Sequence, residues 1–366
     1  MNWTIGLTIY DETYFKMNKN ITSSKRKAVL IGAGSIGKKH LKILLEKFES
    51  IIIVDPNNEV SKYILNFSNA NAMTYLSGLA QLENRAKIDL AVISNWGPDH
   101  FSTFIELVAM GVKNFIIEKP LTDSFYELEE MQKLIDLKNL NVKTCLPMMY
   151  SEIPNMLVKF EEFYSVGAPQ AIIVYGGAKC VATIGIHYIA LANYLFKSRP
   201  VLANAYLQSD NINPRNSKLV YLEGNAHLVY PGKRYLNLNF SNLSQIDHKC
   251  VLLYKHAEII INGQTLTLNR IPSQSLTTLD KPTKTLKATE LLFTTEVNSP
   301  ENFMISLDSL YESFSEATKF SKNDMGFAAT YDLLSVLVAS RLKKTINLPI
   351  GKNIMNLNYQ RKWGIS

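Results

Sequence analysis

The chain predicts an α/β protein in two parts. Residues 27–148 should form a doubly wound parallel sheet, and residues 149–350 an α+β domain with a large, mainly antiparallel sheet. Three observations carry this. A strand, a Gly-rich turn, a helix and a second strand ending on an acid occupy Lys27–Asp55. Apolar strands then alternate with helical patterns as far as Leu146. Past Pro147, strand signals follow one another with few helices between them.

Lys27–Asp55 reads KAVLIGAGSIGKKHLKILLEKFESIIIVD. Ala28–Ile31 is a short apolar run leading into Gly32-Ala33-Gly34-Ser35-Ile36-Gly37. Leu41, Leu44, Leu45 and Phe48 then recur at helical spacing, and Ile51–Val54 is the second strand. In this context G-x-G-x-x-G predicts dinucleotide binding. Gly32 permits a tight turn, Gly34 close approach of a pyrophosphate, and Gly37 close helix–strand packing. Free N–H groups at the helix start, where Ser35 and Ile36 lie, favour the phosphate charge. Asp55 is placed to accept hydrogen bonds from the adenosine ribose. Its carboxylate would repel a 2′-phosphate, and Pro56-Asn57-Asn58 brings no arginine, so NAD(H) is favoured. Lys62, or a residue from elsewhere, leaves NADP(H) open.

Glu59–Phe67 predicts a helix, Ala72–Tyr75 a short strand, and Leu79–Arg85 part of another helix. Ile88–Ile93 is a near-continuous apolar strand running into the turn-rich loop Ser94-Asn95-Trp96-Gly97-Pro98-Asp99-His100, with a helix from Phe101 to Met110. Asn114–Ile117 ends on Glu118-Lys119-Pro120. Thr122 or Asp123 can cap the helix to Leu140, and Asn141–Leu146 is the last strand of this part. Ligands of such sheets bind at the carboxyl ends of the strands, where the glycine turn, Asp55, Ser94, Asn95, Trp96, His100 and Lys119 would converge. Trp96 either walls the nicotinamide or its ribose, or simply packs.

In the second part, Gln170–Tyr175, Val201–Leu207, Lys218–Leu222, Ala226–Tyr230, Tyr235–Phe240, Cys250–Tyr254 and Glu258–Leu268 read as strands. Asn262-Gly263 signals a hairpin. Gly185–Phe196 is an inserted helix, and Ser306–Phe320 and Gly326–Leu342 have helical periodicity. Residues 1–26 read as an extension, with a candidate strand at Trp3–Tyr10 and a polar linker at Lys16–Lys25, and residues 351–366 as a tail.

The net charge of +7 comes from scattered lysines rather than a basic stripe, which argues against nucleic-acid binding. Cys145, Cys180 and Cys250 are widely separated and match neither a disulfide framework nor zinc-ligand spacing, so a reducing cytosol and no metal are expected. Val174–Phe196 is the most membrane-like stretch, but Lys179 and His187 within it argue against a span. Met1–Asn20 lacks the apolar core of a secretory signal. A cytoplasmic protein is the expectation. His227, His248 and His256 show no metal-ligand clustering and read as structural.

Four signatures occur in order: Gly32–Gly37 followed by His40; the strand ending at Ile93 with His100 seven residues later; Glu118-Lys119-Pro120; and Gly185-Ile186-His187 opening a helix. Together they resemble the Gfo/Idh/MocA family, the glucose–fructose oxidoreductase and inositol dehydrogenase group. The resemblance spans Lys27 to Ile350. It implies a Rossmann domain followed by an open-faced sheet that mediates homodimers or homotetramers. It also implies NAD(P)-dependent oxidation or reduction of a sugar, amino sugar, nucleotide sugar or polyol. Lys119 and His187 match the family's catalytic positions: Lys119 would stabilise alkoxide charge, and His187 would act as general base or acid. Glu118 would orient Lys119 or touch the cofactor.

Two departures stand out. The family often reads Asp-x-Gly-x-His-x-x-Asp where this chain has Thr183-Ile184-Gly185-Ile186-His187-Tyr188-Ile189-Ala190, so both acids are missing. Threonine can hydrogen-bond but cannot serve as a base at neutral pH. The Arg-Phe often found after the last Rossmann strand is also absent from Met148-Met149-Tyr150-Ser151. Tyr150, Lys179, Thr183 and Tyr188 are the candidate substrate contacts, with Lys179 suited to an acidic group. A non-catalytic NAD-binding regulator on the same fold is the alternative that the missing acids raise.

Overall fold

The computed structural model describes residues 26–82, 87–177, 179–212, 220–271, 289–297, 300–314 and 325–365. The first part runs β1 (Lys27–Ile31), α1 (Ser35–Lys47), β2 (Ser50–Val54), α2 (Glu59–Ile64), β3 (Met73–Leu76), β4 (Leu90–Ile93), α3 (His100–Ala109), β5 (Asn114–Glu118), α4 (Phe125–Lys138) and β6 (Asn141–Cys145). Its six strands are all parallel, in the order β3-β2-β1-β4-β5-β6. The strand order reverses between β1 and β4, which is where such sheets open a ligand crevice.

Alternate residues of each strand point to opposite faces, and here both faces are buried. Val29, Ile31, Ala91, Ile93, Phe115 and Ile117 join one core, and Ala28, Leu30, Ile51, Ile53, Val92 and Ile116 the other. That is why these strands read as unbroken apolar runs.

The second part contains α5 (Pro147–Tyr150), α6 (Glu152–Tyr164), β7 (Ala171–Gly177), α7 (Ile186–Phe196), β8 (Leu202–Ile212), β9 (Val220–Tyr230), β10 (Arg234–Ser241), β11 (Lys249–Leu253), β12 (Ala257–Asn262), β13 (Thr265–Arg270) and β14 (Glu290–Glu296). It closes with α8 (Pro300–Glu312), α9 (Met325–Leu342), β15 (Ile346–Asn347) and α10 (Lys352–Asn358). The nine-stranded sheet has the order β14-β13-β12-β11-β7-β10-β9-β8-β15. All its pairs are antiparallel except β7–β10. Helix α9 is the one described helix long and apolar enough to cross a membrane, and its residues from Asp332 to Ala339 are all buried, against α7 and β8 among others.

Helix α8 crosses back to the first part. Leu307, Leu310 and Tyr311 are buried in the same core as Leu41 and Leu44 of α1. The Rossmann sheet is therefore covered in part by a helix that follows all but the last strand of the second sheet in sequence.

Several expected elements differ. Ser124, not Thr122 or Asp123, caps α4, its hydroxyl accepting from Glu127 N at 3.2 Å. Asp123 is fully buried, and its Oδ2 instead accepts from Gly364 N at 2.9 Å, which ties the C-terminal segment to this loop. The two strands expected at 218–222 and 226–230 are one strand, β9. Gly224 sits within it at φ +118°, where an added Cβ would lie 2.2 Å from the carbonyl oxygen of Tyr206 on β8. Helix α6 was not foreseen. Its apolar face, including Ile153, Leu157 and Phe160, is buried, and Ser151 caps it by accepting from Ile153 N at 3.2 Å. Trp3–Tyr10, Lys16–Lys25, Lys218 and the far ends of the helices expected at Leu79–Arg85 and Ser306–Phe320 lie outside the described residues.

Candidate functional site

The glycine turn is shaped by crowding on two sides and openness on the third. Gly32 adopts φ +85°, and a Cβ there would meet Asn95 N at 2.6 Å. A Cβ on Gly37 would lie 2.1 Å from the carbonyl oxygen of Gly32. Neither position admits a side chain without moving backbone. A Cβ on Gly34 would meet nothing within 4 Å. Gly34 and Ser35 are exposed, Ile36 is half-buried, and no side chain caps the start of α1. The turn is therefore packed tightly on the protein side and open on the side where a pyrophosphate would lie.

Asp55 follows β2 and is buried. Its Oδ2 accepts from Ala33 N at 2.6 Å and its Oδ1 from Asn57 N at 2.8 Å. One carboxylate thus holds the glycine turn to the end of β2, and each oxygen keeps a further lone pair for a ribose hydroxyl. Ser94 closes the base of the turn, its hydroxyl donating to Gly32 O at 2.7 Å. Asn95 donates to Thr103 Oγ1 at 3.0 Å, while its buried Oδ1 has no partner among the described residues. Trp96 is 51% exposed, an unusual placement for so large an apolar ring.

His100 bridges two loops. Its Nδ1 lies 2.9 Å from Pro120 O and its Nε2 3.2 Å from Asn95 O, and burial lowers its pKa. The ring joins the two loops, with a carbonyl oxygen at each of its nitrogens.

Glu118 ends β5 inside a polar cluster. His40 Nε2 is 3.1 Å from Glu118 Oε1, and His40 Nδ1 is 2.8 Å from the hydroxyl of Tyr311 on α8. The Cys145 thiol also donates to the Glu118 carboxylate, and Lys119 N approaches its Oε2 at 3.3 Å. Burial alone would raise the Glu118 pKa, but these donors and the nearby positive charge hold it near 2. Glu118 is thus ionised, and its contact with Lys119 is to the lysine's backbone N–H. His40, Glu118 and Cys145 place metal-ligating atoms within 4.8 Å of one another. Their lone pairs and protons are already used among themselves and by Tyr311, and burial pushes the Cys145 thiol far from its ionised form.

His187 lies in the first turn of α7, after a single π-type turn at Val181–Gly185. Such turns concentrate at functional sites. Burial is the largest cause depressing its pKa, followed by the Lys119 ammonium, and the value falls to about 3. The ring is neutral at physiological pH. Its Nδ1 is buried without a partner among the described residues. The structure therefore brings Lys119 and His187, 68 positions apart in sequence, within electrostatic reach of each other.

The four candidate substrate contacts fare unequally. The Thr183 hydroxyl donates to Cys180 O at 3.3 Å within the π turn. Tyr188 is only 2% exposed and presents its ring to His248, with centroids 5.8 Å apart. Lys179 is paired with Asp247 at 3.2 Å. Tyr150 packs at the edge of the core that α8 closes. Sequence reasoning passed over Asp247 and Tyr311 and read His248 as structural. The adjacent Asp-His pair and the Gly176-Gly177 step beside Lys179 were the available signals.

These features define a class first: a Rossmann domain with a dinucleotide-type glycine turn joined to a nine-stranded sheet, with a lysine and a histidine within electrostatic reach of each other. Residues 26–144 match the family described as "Oxidoreductase family, NAD-binding Rossmann fold". That match covers the Rossmann domain alone, and it agrees with the resemblance to the Gfo/Idh/MocA oxidoreductases carried by the four sequence signatures.

Solved structures share the whole fold at low identity. A super-repressor mutant of Gal80p from Saccharomyces cerevisiae superposes with TM-score 0.69 at 14% identity, covering 92% of this chain and 100% of that one. Myo-inositol 2-dehydrogenase from Lactobacillus plantarum gives 0.66 at 16%, covering 89% and 99%. The WlbA dehydrogenase from Chromobacterium violaceum, in complex with NADH and UDP-GlcNAcA, gives 0.66 at 14%, covering 90% and 98%.

Proposed function

We propose that this chain is an NAD(H)-dependent oxidoreductase acting on a secondary alcohol or ketone carbon of a sugar, amino sugar, nucleotide sugar or polyol. The observations that carry this are a neutral His187 whose pKa the Lys119 ammonium helps to depress and whose buried Nδ1 has no partner among the described residues, and a glycine turn that Gly34 leaves open. The turn fits a dinucleotide: an uncapped helix start for the pyrophosphate and Asp55 for the ribose, with no arginine at 56–58 to favour NADP(H). Bound there, the nicotinamide supplies hydride exchange with the carbinol carbon. Lys119 donates a hydrogen bond to the substrate oxygen and stabilises its negative charge. His187, neutral, accepts the hydroxyl proton in oxidation and returns it in reduction. Glu118, held by His40, keeps the Lys119 backbone in place.

A regulator that binds NAD(H) without turnover is the second reading. It is favoured by the absence of acids at Thr183 and Ala190 and by the likeness to a protein known as a super-repressor mutant. One experiment separates them. NADH binding is measured by calorimetry, and turnover is followed at the nicotinamide absorbance against a panel of sugars, polyols and nucleotide sugars. The enzyme reading expects turnover that Lys119→Ala and His187→Ala each reduce at least about 100-fold while NADH still binds. NADH binding with no turnover across the panel would favour the regulator.

Self-association through the open face of the larger sheet is part of the same proposal. Tyr175, Tyr206 and Phe293 are exposed on its strands. Sedimentation velocity should show a dimer or tetramer.

A further inference from the structure

Residues 359–365, which the sequence presents only as part of a tail, are bonded to two loops of the site. The segment follows α10, lies against α4 and ends on the second sheet. Tyr359 O accepts from Tyr126 N at 2.9 Å, Gly364 O accepts from Val220 N of β9 at 2.9 Å, and Ile365 is fully buried. Between these anchors, Lys362 Nζ donates to Pro98 O at 3.1 Å, lies 3.1 Å from Asp123 Oδ1 and pairs with Glu127 Oε1 of α4. Pro98 belongs to the loop that carries Trp96, and Asp123 to the loop that carries Lys119. His100 already joins those loops at Asn95 O and Pro120 O. Lys362 joins them again, three residues further along each.

We propose that Lys362 is a positioning residue of the coenzyme site: its ammonium clamps the Trp96 loop to the Lys119 loop and so fixes where those two side chains meet NAD(H). This rests on the oxidoreductase reading above.

The clamp is anchored on Asp123, which is fully buried. Its Oδ2 accepts from Gly364 N at 2.9 Å and its backbone oxygen from Trp363 N at 3.2 Å, so the segment grips this one residue at three consecutive positions. Among the described residues no other cation pairs with Asp123 or Glu127. Lys362 itself is half-exposed, so solvent screens the pairs and their worth to global stability is small. Their effect is local. Loops at strand ends open at far lower cost than the sheet beneath them. A cation shared by a carbonyl on one loop and a carboxylate on the other opposes any motion that separates the two, and such charge-assisted bonds are the stronger kind. Loops ordered in advance spare a ligand the cost of ordering them, and small displacements of reacting groups are costly in rate.

The test compares the full chain with three variants. Lys362→Met removes the charge, Lys362→Arg keeps a cation, and Lys133→Met removes an exposed ammonium of α4 that pairs with Glu130. Hydrogen exchange of the coenzyme-free proteins is read by mass spectrometry over residues 94–99 and 119–124. The reporters are Asp99 N–H, bonded to Trp96 O, and Leu121 N–H, bonded to Thr330 Oγ1, and neither bond involves the segment. Both should exchange about 5-fold faster in Lys362→Met. By calorimetry, NADH should bind that variant about 3- to 10-fold more weakly. With any panel substrate that turns over, its kcat should fall about 10-fold while KM stays within about threefold. Lys362→Arg should recover most of each change, and Lys133→Met should show none. A wild type that binds no NADH would sink the oxidoreductase reading, and this role with it. If the wild type binds NADH but Lys362→Met leaves either the loop exchange or the NADH affinity at the wild-type value, the clamp alone is overturned, even where global unfolding shows lost stability. Equal effects in Lys133→Met overturn it as well.

Discussion

The glycine turn allows stability and ligand binding to be separated by two single-methyl additions. In Gly34→Ala the new Cβ meets no protein atom within 4 Å, and the backbone there is already extended, with φ −67°. The lost chain freedom of the unfolded state stabilises by about 0.4–1 kcal/mol. Alanine caps a helix less well than glycine by an amount of similar size. Stability should therefore change by less than about 0.5 kcal/mol. The same methyl occupies the space a pyrophosphate would approach. By the cost of overfilling a close contact, NADH binding should weaken by about 1–3 kcal/mol, or roughly 5- to 150-fold in Kd.

Gly37→Ala is the opposite case. Its Cβ would sit 2.1 Å from a backbone oxygen, so the fold itself must shift, with about 1–3 kcal/mol of lost stability. Denaturant unfolding read alongside NADH calorimetry measures both quantities for each variant. Gly34→Ala that is stable and binds NADH as tightly as the wild type would show that no phosphate lies against this turn.

Other perturbations test the frame around the site. Asp332 is 1% exposed within α9 and depends on Arg199 Nη2 at 2.5 Å and Asn193 Nδ2 at 2.8 Å. Arg199→Ala leaves a buried carboxylate short of its partner. Because the arginine is half exposed, the loss should be about 2 kcal/mol, below the roughly 3–5 expected for a fully buried pair. Arg199→Ala combined with Asp332→Asn should recover part of it. Glu161 on α6 has its pKa raised to about 7, chiefly by burial. The folded state holds that proton more tightly than the unfolded chain, so its stabilising effect is complete below the unfolded value of about 4.3 and lost as pH rises through 7. Unfolding midpoints measured across this range should fall with rising pH in the wild type and fall less in Glu161→Gln.

Legibility in the sequence tracked how local each cause is. The turn at Gly32–Gly37, Asp55 and the strand alternation are short-range patterns, and the structure places them where the pattern does. The bridging of two loops by His100 was not legible, because its partners, the carbonyls of Asn95 and Pro120, lie 5 and 20 positions away on different loops. Tyr188 and Thr183 sat beside His187 in sequence, but helical geometry turned one into the core and bonded the other to its own turn. The place of His248 was not legible either, because nothing near it in sequence shows that its loop packs on Gly176 and Gly177 at the end of β7.

What the amino-acid order determined by itself was the coenzyme half: a strand, a turn and a helix contiguous over 29 residues, whose chemistry follows from backbone geometry alone. Only tertiary structure decided the rest. It brought Lys119 within electrostatic reach of His187, buried Tyr311 of α8 against His40, and set the His248 ring against Tyr188 of α7. Contacts between distant segments are selected by packing and by the need to satisfy buried polar groups, and those requirements exist only once the sheets have closed on their cores.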